Sequence, residues 1–341
     1  MKSTITDIAR ETGLSVSTIS KYLNQKPVRP ENARLIEEAI HRMDYTPNPI
    51  AQGLRSKKAR MAALVIPPLG NELWGRIIYP IEDVLRAHGY MTVVCTASVD
   101  ASKNNTGSSQ PLLEFLSDNR INGVISIGGA LPSSLSRRIL ADGVPVVCAG
   151  DCPSDLCTDF AASTDYDSSF QAANYLMDHG HSRLGFVAGS PSSRITKVRT
   201  QGFLDAVHAK GLEIPPAFRL LKDTDSESPF IPQAFRKMME QTDRPTALFF
   251  SGYGSFLSCL SELAHQNFQI PEDLSILSFD NDKIFDTLTP KVTVIQENFQ
   301  EIGQKAAALL LKRLSGNQEG FPKTCLIPTE FLEGDSVKKI L

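Results

Sequence analysis

The sequence predicts an α + α/β architecture: an N-terminal helix-turn-helix head, a hinge helix, and then two Rossmann-like α/β lobes. Three observations lead there. Residues 1–60 hold three short helical patterns, the second only a few residues after the first. From residue 62 onward, short apolar runs alternate with amphipathic helical stretches, as in parallel sheets covered by helices. The charge is also divided. Residues 1–60 carry 11 Lys/Arg against 6 Asp/Glu (+5), and the remainder 24 against 32 (−8), in a chain of net charge −3. A basic head on an acidic body suits a polyanion-binding module joined to a soluble sensor, although ordinary charge scatter would read the same way. At 341 residues the chain has room for two or three domains.

In the head, Thr4-x-x-Asp7 supplies a hydroxyl cap and a first-turn acid, Ile8 and Ala9 an apolar face, and Gly13 a stop. Ser15 can cap a second helix over 16–23, where Ile19 and Leu23 share a face and leave Val16, Ser17 and Lys21 pointing elsewhere. A third helix is expected over 31–43, with Pro30 in its first turn and Leu35, Ile36, Ala39, Ile40 and Met43 apolar. Beyond Tyr45-Thr46-Pro47, Asn48 can cap and Pro49 can open a further short helix that Gly53 weakens by ~1 kcal/mol. A helix so short is marginal in water, so it forms only when held; a plain linker is the alternative.

Within this stretch, Ile5-Thr6-Asp7-Ile8-Ala9, Gly13 through Asn24, Tyr45-Thr46-Pro47-Asn48 and Ala51, Leu54 and Arg55 resemble the LacI/GalR family of bacterial transcriptional regulators. The resemblance implies that Val16, Ser17 and Lys21 reach base edges in the major groove. It implies that Thr4, Ser15, Thr18, Ser20 and Asn24 contact phosphate and sugar. Asn48, Ala51, Leu54 and Arg55 would form the hinge, with Leu54 wedged into the minor groove at the dyad. Two positions depart from the family: Lys21, where relatives often carry a guanine-reading Arg, and Arg29, where they carry a Ser or Thr cap.

For the body, strands are expected at 62–66, 91–95, 123–127, 144–149, 184–188, 247–251 and 274–278. Helices are expected at 74–88, 112–119, 168–179, 200–210 and 256–267. The resemblance implies a periplasmic-binding-protein-like fold whose chain crosses between lobes three times, near 159–164, 288–293 and 320–322. The expected division is therefore a head over 1–46, a hinge over 47–60, an N-terminal lobe over 61–160 plus 291–320, and a C-terminal lobe over 161–290 plus 321–341.

Gly-x-Gly-x-x-Gly, Walker and Gly-x-Ser-x-Gly motifs are all absent, and no Ser/His/Asp order stands out, so neither an enzyme nor a cofactor is expected. His179-Gly180-His181 reads as a pair of surface residues rather than metal ligands, and no metal is expected. Six cysteines without a CxxC pair read as buried reduced thiols. With no signal-like start and no apolar run of ~20 residues, a cytoplasmic protein is expected and no membrane partner.

The resemblance places an effector between the lobes and assigns it Trp74, Asp165, Asp167, Arg199 and Asp280. An Arg with several carboxylates suits a sugar-like small molecule. A core role for Trp74, and a structural ion-pair network for Arg199 and Asp280, are the competing readings. Departures from the family at Asn71-Glu72-Leu73-Trp74, Gly252-Tyr253 and Gly334-Asp335-Ser336 leave the effector unnamed, with Tyr253 a candidate replacement for a missing amide. The expected partners are palindromic double-stranded DNA, the effector and a second copy of the chain, with helix 74–88 in the dimer interface and no tail for a tetramer.

Overall fold

A computed structural model describes residues 4–23, 27–43, 45, 60–68, 73–96, 110–118, 120–191, 193–221, 230–266, 268–281, 285 and 287–340. The hinge helix and the site residues Asn24, Asn48, Ala51, Leu54 and Arg55 lie outside them. The chain divides into two compact units, 1–60 and 61–341.

In the first unit, α1 (Ile5–Thr12), α2 (Val16–Leu23) and α3 (Pro30–Arg42) enclose Ile8, Ile19, Ile36 and Ala39. The local signals act as read. Thr4 and Asp7 form a reciprocal capping box, and Gly13 closes α1 in the left-handed conformation at φ 66°. The Ser15 hydroxyl accepts the Thr18 amide at 3.2 Å to start α2. Arg29 makes no side-chain cap, and α3 begins instead on Pro30. Leu35, expected on the apolar face, is 43% exposed, because Ile36 and Ala39 already fill the narrow seam toward α1 and α2.

In the second unit, β1 (Met61–Ile66), β2 (Met91–Thr96), β3 (Gly123–Ile127), β4 (Val146–Ala149), β5 (Asp159–Ser163) and β11 (Thr324–Ile327) form one parallel sheet in the order β11-β5-β4-β3-β1-β2. A second sheet repeats the pattern. It takes β6 (Leu184–Ala188), β7 (Arg219–Leu221), β8 (Ala247–Phe250), β9 (Ser275–Phe279), β10 (Thr293–Gln296) and β12 (Glu330–Leu332) in the order β12-β10-β9-β8-β6-β7. There β12 alone runs antiparallel, against β10. Both orders reverse beside the first strand of the sheet, the topological point where open α/β sheets hold ligands at the carboxyl ends of their strands.

Helices α4 (Leu73–Ala87), α5 (Gln110–Asp118), α6 (Ser133–Ala141) and α11 (Phe299–Leu314) belong to the first lobe, where α11 crosses α4 closely at Gly303. A Cβ at Gly303 would meet the Ile77 carbonyl at 2.8 Å. Helices α7 (Asp165–Asp178), α8 (Arg194–Ala209), α9 (Phe230–Met239) and α10 (Tyr253–His265) belong to the second. There α8 lies against the start of α7 because Gly202 has no side chain; a Cβ would sit 2.3 Å from the Tyr166 carbonyl oxygen.

The chain leaves the first lobe at the end of β5, returns between β10 and α11, and leaves again between β11 and β12. The last two crossings fall later than expected, near residues 297–298 and 328–329. Consequently 293–296 belongs to the C-terminal lobe and 324–327 to the N-terminal lobe, and 161–163 completes β5. The physical reason is that β10 is bounded by the polar Thr293 and Gln296 and β11 is largely exposed at a sheet edge, so neither shows the unbroken apolar run of β4 or β8. His181, expected at the surface, is 1% exposed. Its ring contacts the Thr246 hydroxyl at 2.9 Å and the Lys338 carbonyl at 3.2 Å beneath the C-terminal segment.

Candidate DNA interface and interlobe cleft

In the head, Ile19 is fully buried whereas Ser15, Ser17 and Lys21 are exposed and Val16, Thr18 and Ser20 half-buried. One helix thus spends one face on the core and presents the other. Ser15 Oγ contacts Ser17 Oγ at 2.8 Å and Thr18 Oγ1 at 2.9 Å, so three hydroxyls are arranged together at the start of α2. Thr4 is exposed but engaged by Asp7 through its amide at 2.9 Å and its hydroxyl at 2.6 Å. An Arg42–Glu11 ion pair of 2.7 Å joins α3 to α1.

In the body, Arg199 on α8 is 3% exposed and every one of its nitrogens is engaged. Nε donates to Asp165 Oδ1 at 2.7 Å, one terminal nitrogen to the Ser251 carbonyl at 2.9 Å, and the other to Glu297 Oε2 at 2.8 Å. Asp280 lies 3.6 Å away, and Phe279 stacks under the guanidinium at 3.4 Å. Asp280 itself holds a left-handed backbone (φ 63°), a conformation aspartate tolerates, and accepts the Glu297 amide at 3.1 Å. Ser163, at the end of β5, donates to both Asp165 and Glu297.

Three carboxylates around one cation leave an excess of negative charge, which favours protonation of the most deeply buried of them. Burial, then the neighbouring Glu297 charge, pushes Asp280 well above the usual carboxylate range. Burial raises Asp165 to about 6 against the pull of Arg199. Glu297 is also buried, but the Arg199 charge and the hydrogen bonds it accepts hold it below its ordinary value. Asp280 is thus the carboxyl whose protonated form burial favours most, while Asp165 and Glu297 accept hydrogen bonds from the guanidinium directly.

Of the expected effector residues, Arg199, Asp165 and Asp280 are brought together. Trp74 lies in the first lobe, the far edge of its indole against Gly128 at the end of β3, where a Cβ would come within 2.5 Å. Tyr253 opens α10 and tilts onto Phe285 at 5.8 Å. Asp167 departs from the expectation: two residues along α7 from Asp165 is more than half a turn, and its side chain is exposed while that of Asp165 is buried. The indole Nε1 of Trp74 and Oδ2 of Asp165 are buried without a hydrogen-bond partner among the described residues.

Sequence reasoning missed Glu297, Ser163 and the pair Asp151–Ser193. Asp151, just beyond β4, accepts from Ser193 Oγ at 3.2 Å and lies 3.8 Å from Arg194 of the other lobe. On the exposed rim, Arg76 of α4 donates to the Asn281 carbonyl at 2.8 Å. The rule that ligand-facing residues follow the carboxyl ends of strands picks out Asp151 after 144–149. It would equally have picked out Glu297, had β10 been read as a strand.

Residues 4–48 match the bacterial regulatory proteins of the lacI family, and residues 173–337 a periplasmic binding protein-like domain. The chain is 26% identical over 320 residues to the transcriptional repressor PurR of Pasteurella multocida, covering 93% of each. It is 27% identical over 318 residues to catabolite control protein A of Priestia megaterium, covering 92% of this chain and 93% of that protein. Its fold follows a Lac repressor dimer bound to operator and the anti-inducer ONPF, with a TM-score of 0.84, 19% identity, and 99% and 100% of the two chains covered. These relatives are regulators rather than enzymes, and no helix among the described residues is long and apolar enough to cross a membrane. With a lacI-family helix-turn-helix domain ahead of a two-lobed periplasmic binding protein-like domain, the chain belongs to the lacI family of bacterial regulatory proteins.

Proposed function

We propose that this repressor binds a palindromic operator as a homodimer in the cytoplasm, and that a small sugar-like molecule between its lobes sets its affinity for that operator. The observation that carries the DNA reading is the outward face of α2: Ser17 and Lys21 exposed beside the hydroxyls of Ser15 and Thr18, on a helix anchored by Ile19. Val16, Ser17 and Lys21 read bases. Thr4, Ser15, Thr18, Ser20 and Asn24 hold phosphates, and Leu54 with its hinge neighbours Asn48, Ala51 and Arg55 opens the minor groove. A palindrome needs two heads related by a twofold axis.

The cleft reading rests on Trp74 Nε1 and Asp165 Oδ2, a donor and an acceptor that a polyhydroxyl ligand would satisfy at low cost. Arg199, Asp280 and Tyr253 complete that site, the ligand exchanging with carboxylates at Arg199. Effector binding changes the angle between lobes and so the separation of the two hinges. It acts only through its differential affinity for the two states. The test is selection of duplexes from a random pool by the full-length protein at two salt concentrations, with and without a mixture of sugars and phosphorylated metabolites. The expected result is an enriched inverted repeat, held more weakly at high salt, with enrichment altered by the mixture. Enrichment of single half-sites would overturn the dimer, and indifference to every mixture the sugar-like effector.

A further inference from the structure

We propose that Cys148 and Cys152 are a reversible redox pair whose disulfide alters the contact between the two lobes. This inference is independent of the effector reading. Cys148 lies in β4 and Cys152 four residues on, past a turn at Gly150 (φ 80°). Both pack in one small buried cluster with Leu156, Phe160 and Ala162, and the Cys152 thiol donates to the Pro153 carbonyl at 3.6 Å. The neighbouring Cys152 thiol and burial raise Cys148, while the Cys148 thiol holds Cys152 below the ordinary thiol value. Cys152 keeps 6% exposure and Cys148 none, so an oxidant meets Cys152 first.

With hydrogen peroxide the balance is complete. The Cys152 sulfur attacks one peroxide oxygen, the O–O bond breaks, and the departing hydroxide leaves as water with the thiol proton. Cys148 then attacks the sulfenic sulfur; the S–S bond forms, the S–O bond breaks, and a second water carries off the Cys148 proton. Two thiols are oxidised and one peroxide reduced.

The consequence follows from the residue between them. Asp151 accepts from the Cys152 amide at 2.9 Å and from Ser193 at the cap of α8 in the other lobe. Drawing Cys152 toward β4 moves this carboxylate and its interlobe partners. The Gly128 amide donates to the Ala149 carbonyl at 2.9 Å, so the single tryptophan, packed on Gly128, reports the same movement.

The experiment treats the full-length protein with hydrogen peroxide, counts thiols by alkylation, maps peptides by mass, and follows Trp74 fluorescence before and after dithiothreitol. The expected result is a fall from six thiols to four, one peptide containing both residues that has lost two hydrogens, and a fluorescence shift that the reductant reverses. Cys157→Ser, at an exposed cysteine nearby, keeps the linked peptide and the reversible fluorescence shift, with thiols falling from five to three, whereas Cys152→Ala and Cys148→Ala lose all of these changes. Six persisting thiols, a Cys157 bridge between chains, or overoxidised Cys152 without the linked peptide would each overturn the proposal. If the buried Cys148→Ala variant does not fold, the peptide map and Cys157→Ser decide alone.

Discussion

Arg199 and His181 illustrate how much of this molecule depends on single buried polar groups. Removing the Arg199 guanidinium leaves the buried Asp165 and Glu297 carboxyls without their cation. Arg199→Gln should therefore lower stability by about 3–5 kcal/mol, and the double variant with Glu297→Gln should lose less than the sum of the single changes. Urea unfolding of the four proteins measures this; strict additivity would mean that the two groups do not share a network. His181 gives a pH prediction. Burial first, then its charged neighbours, depress its value from 6.5 to about 4. Between those values the unfolded chain binds a proton that the folded chain refuses, so this residue's contribution is full above pH 6.5 and is lost as the pH falls toward 4. Asp165, raised to about 6, works the other way and gains stability over the lower part of that window. The comparison must therefore be made against a variant rather than across pH alone. The stability gap between wild type and His181→Asn should narrow by about 2 kcal/mol from pH 7.5 to pH 5. A constant gap would mean that the ring is protonated in the folded protein.

At the scale of elements, α2 carries the DNA reading and yields a graded prediction. Lys21 is exposed, so Lys21→Ala should leave the melting temperature of the head unchanged. It should weaken operator binding by roughly tenfold, the value of about 1–3 kcal/mol expected of a base contact. Fluorescence anisotropy on the selected operator and on a scrambled duplex separates the possibilities: an equal loss on both would make Lys21 a phosphate contact. The head helices were legible because their punctuation is chemical: Thr4 with Asp7, Gly13, Ser15 and Pro30 each mark an end by a bond or a backbone preference. The core strands of the body were legible because five consecutive, mostly apolar residues bounded by turn signals, as in 123–127 and 184–188, have few other uses. The strands at 293–296, 324–327 and 330–332 were not. They are short, and β11 alternates exposed and buried residues at a sheet edge with no periodicity long enough to register. The site shared that fate. Arg199, Asp165 and Asp280 were legible by resemblance, but Glu297 was hidden because its strand was.

The whole molecule consists of two units whose cores differ greatly in size, and their stabilities should differ accordingly. The head is centred on four buried residues, Ile8, Ile19, Ile36 and Ala39, joined by surface pairs such as Arg42–Glu11. So small a core leaves a domain marginal, and an exposed ion pair adds less than about 1 kcal/mol. The body has two complete sheets and three large apolar clusters. The lobes are bound further by groups from separate chain crossings: Ser163 at the end of β5, Glu297 after β10, and Arg199 bridging Glu297 to Asp165. Heating the full chain should therefore give two transitions, the head first. A chain beginning at residue 61 should show only the second, displaced by no more than a few degrees, because the compact division falls between residues 60 and 61. Operator DNA binds only the folded head, so it should raise the first transition toward the second as its concentration exceeds the dissociation constant. A ligand of the cleft should raise the second even in the truncated chain. Scanning calorimetry of both chains, with each ligand in turn, tests this directly. A single transition in the full chain that DNA and cleft ligand move together would mean that head and body unfold as one cooperative unit, and the two-unit account would fail.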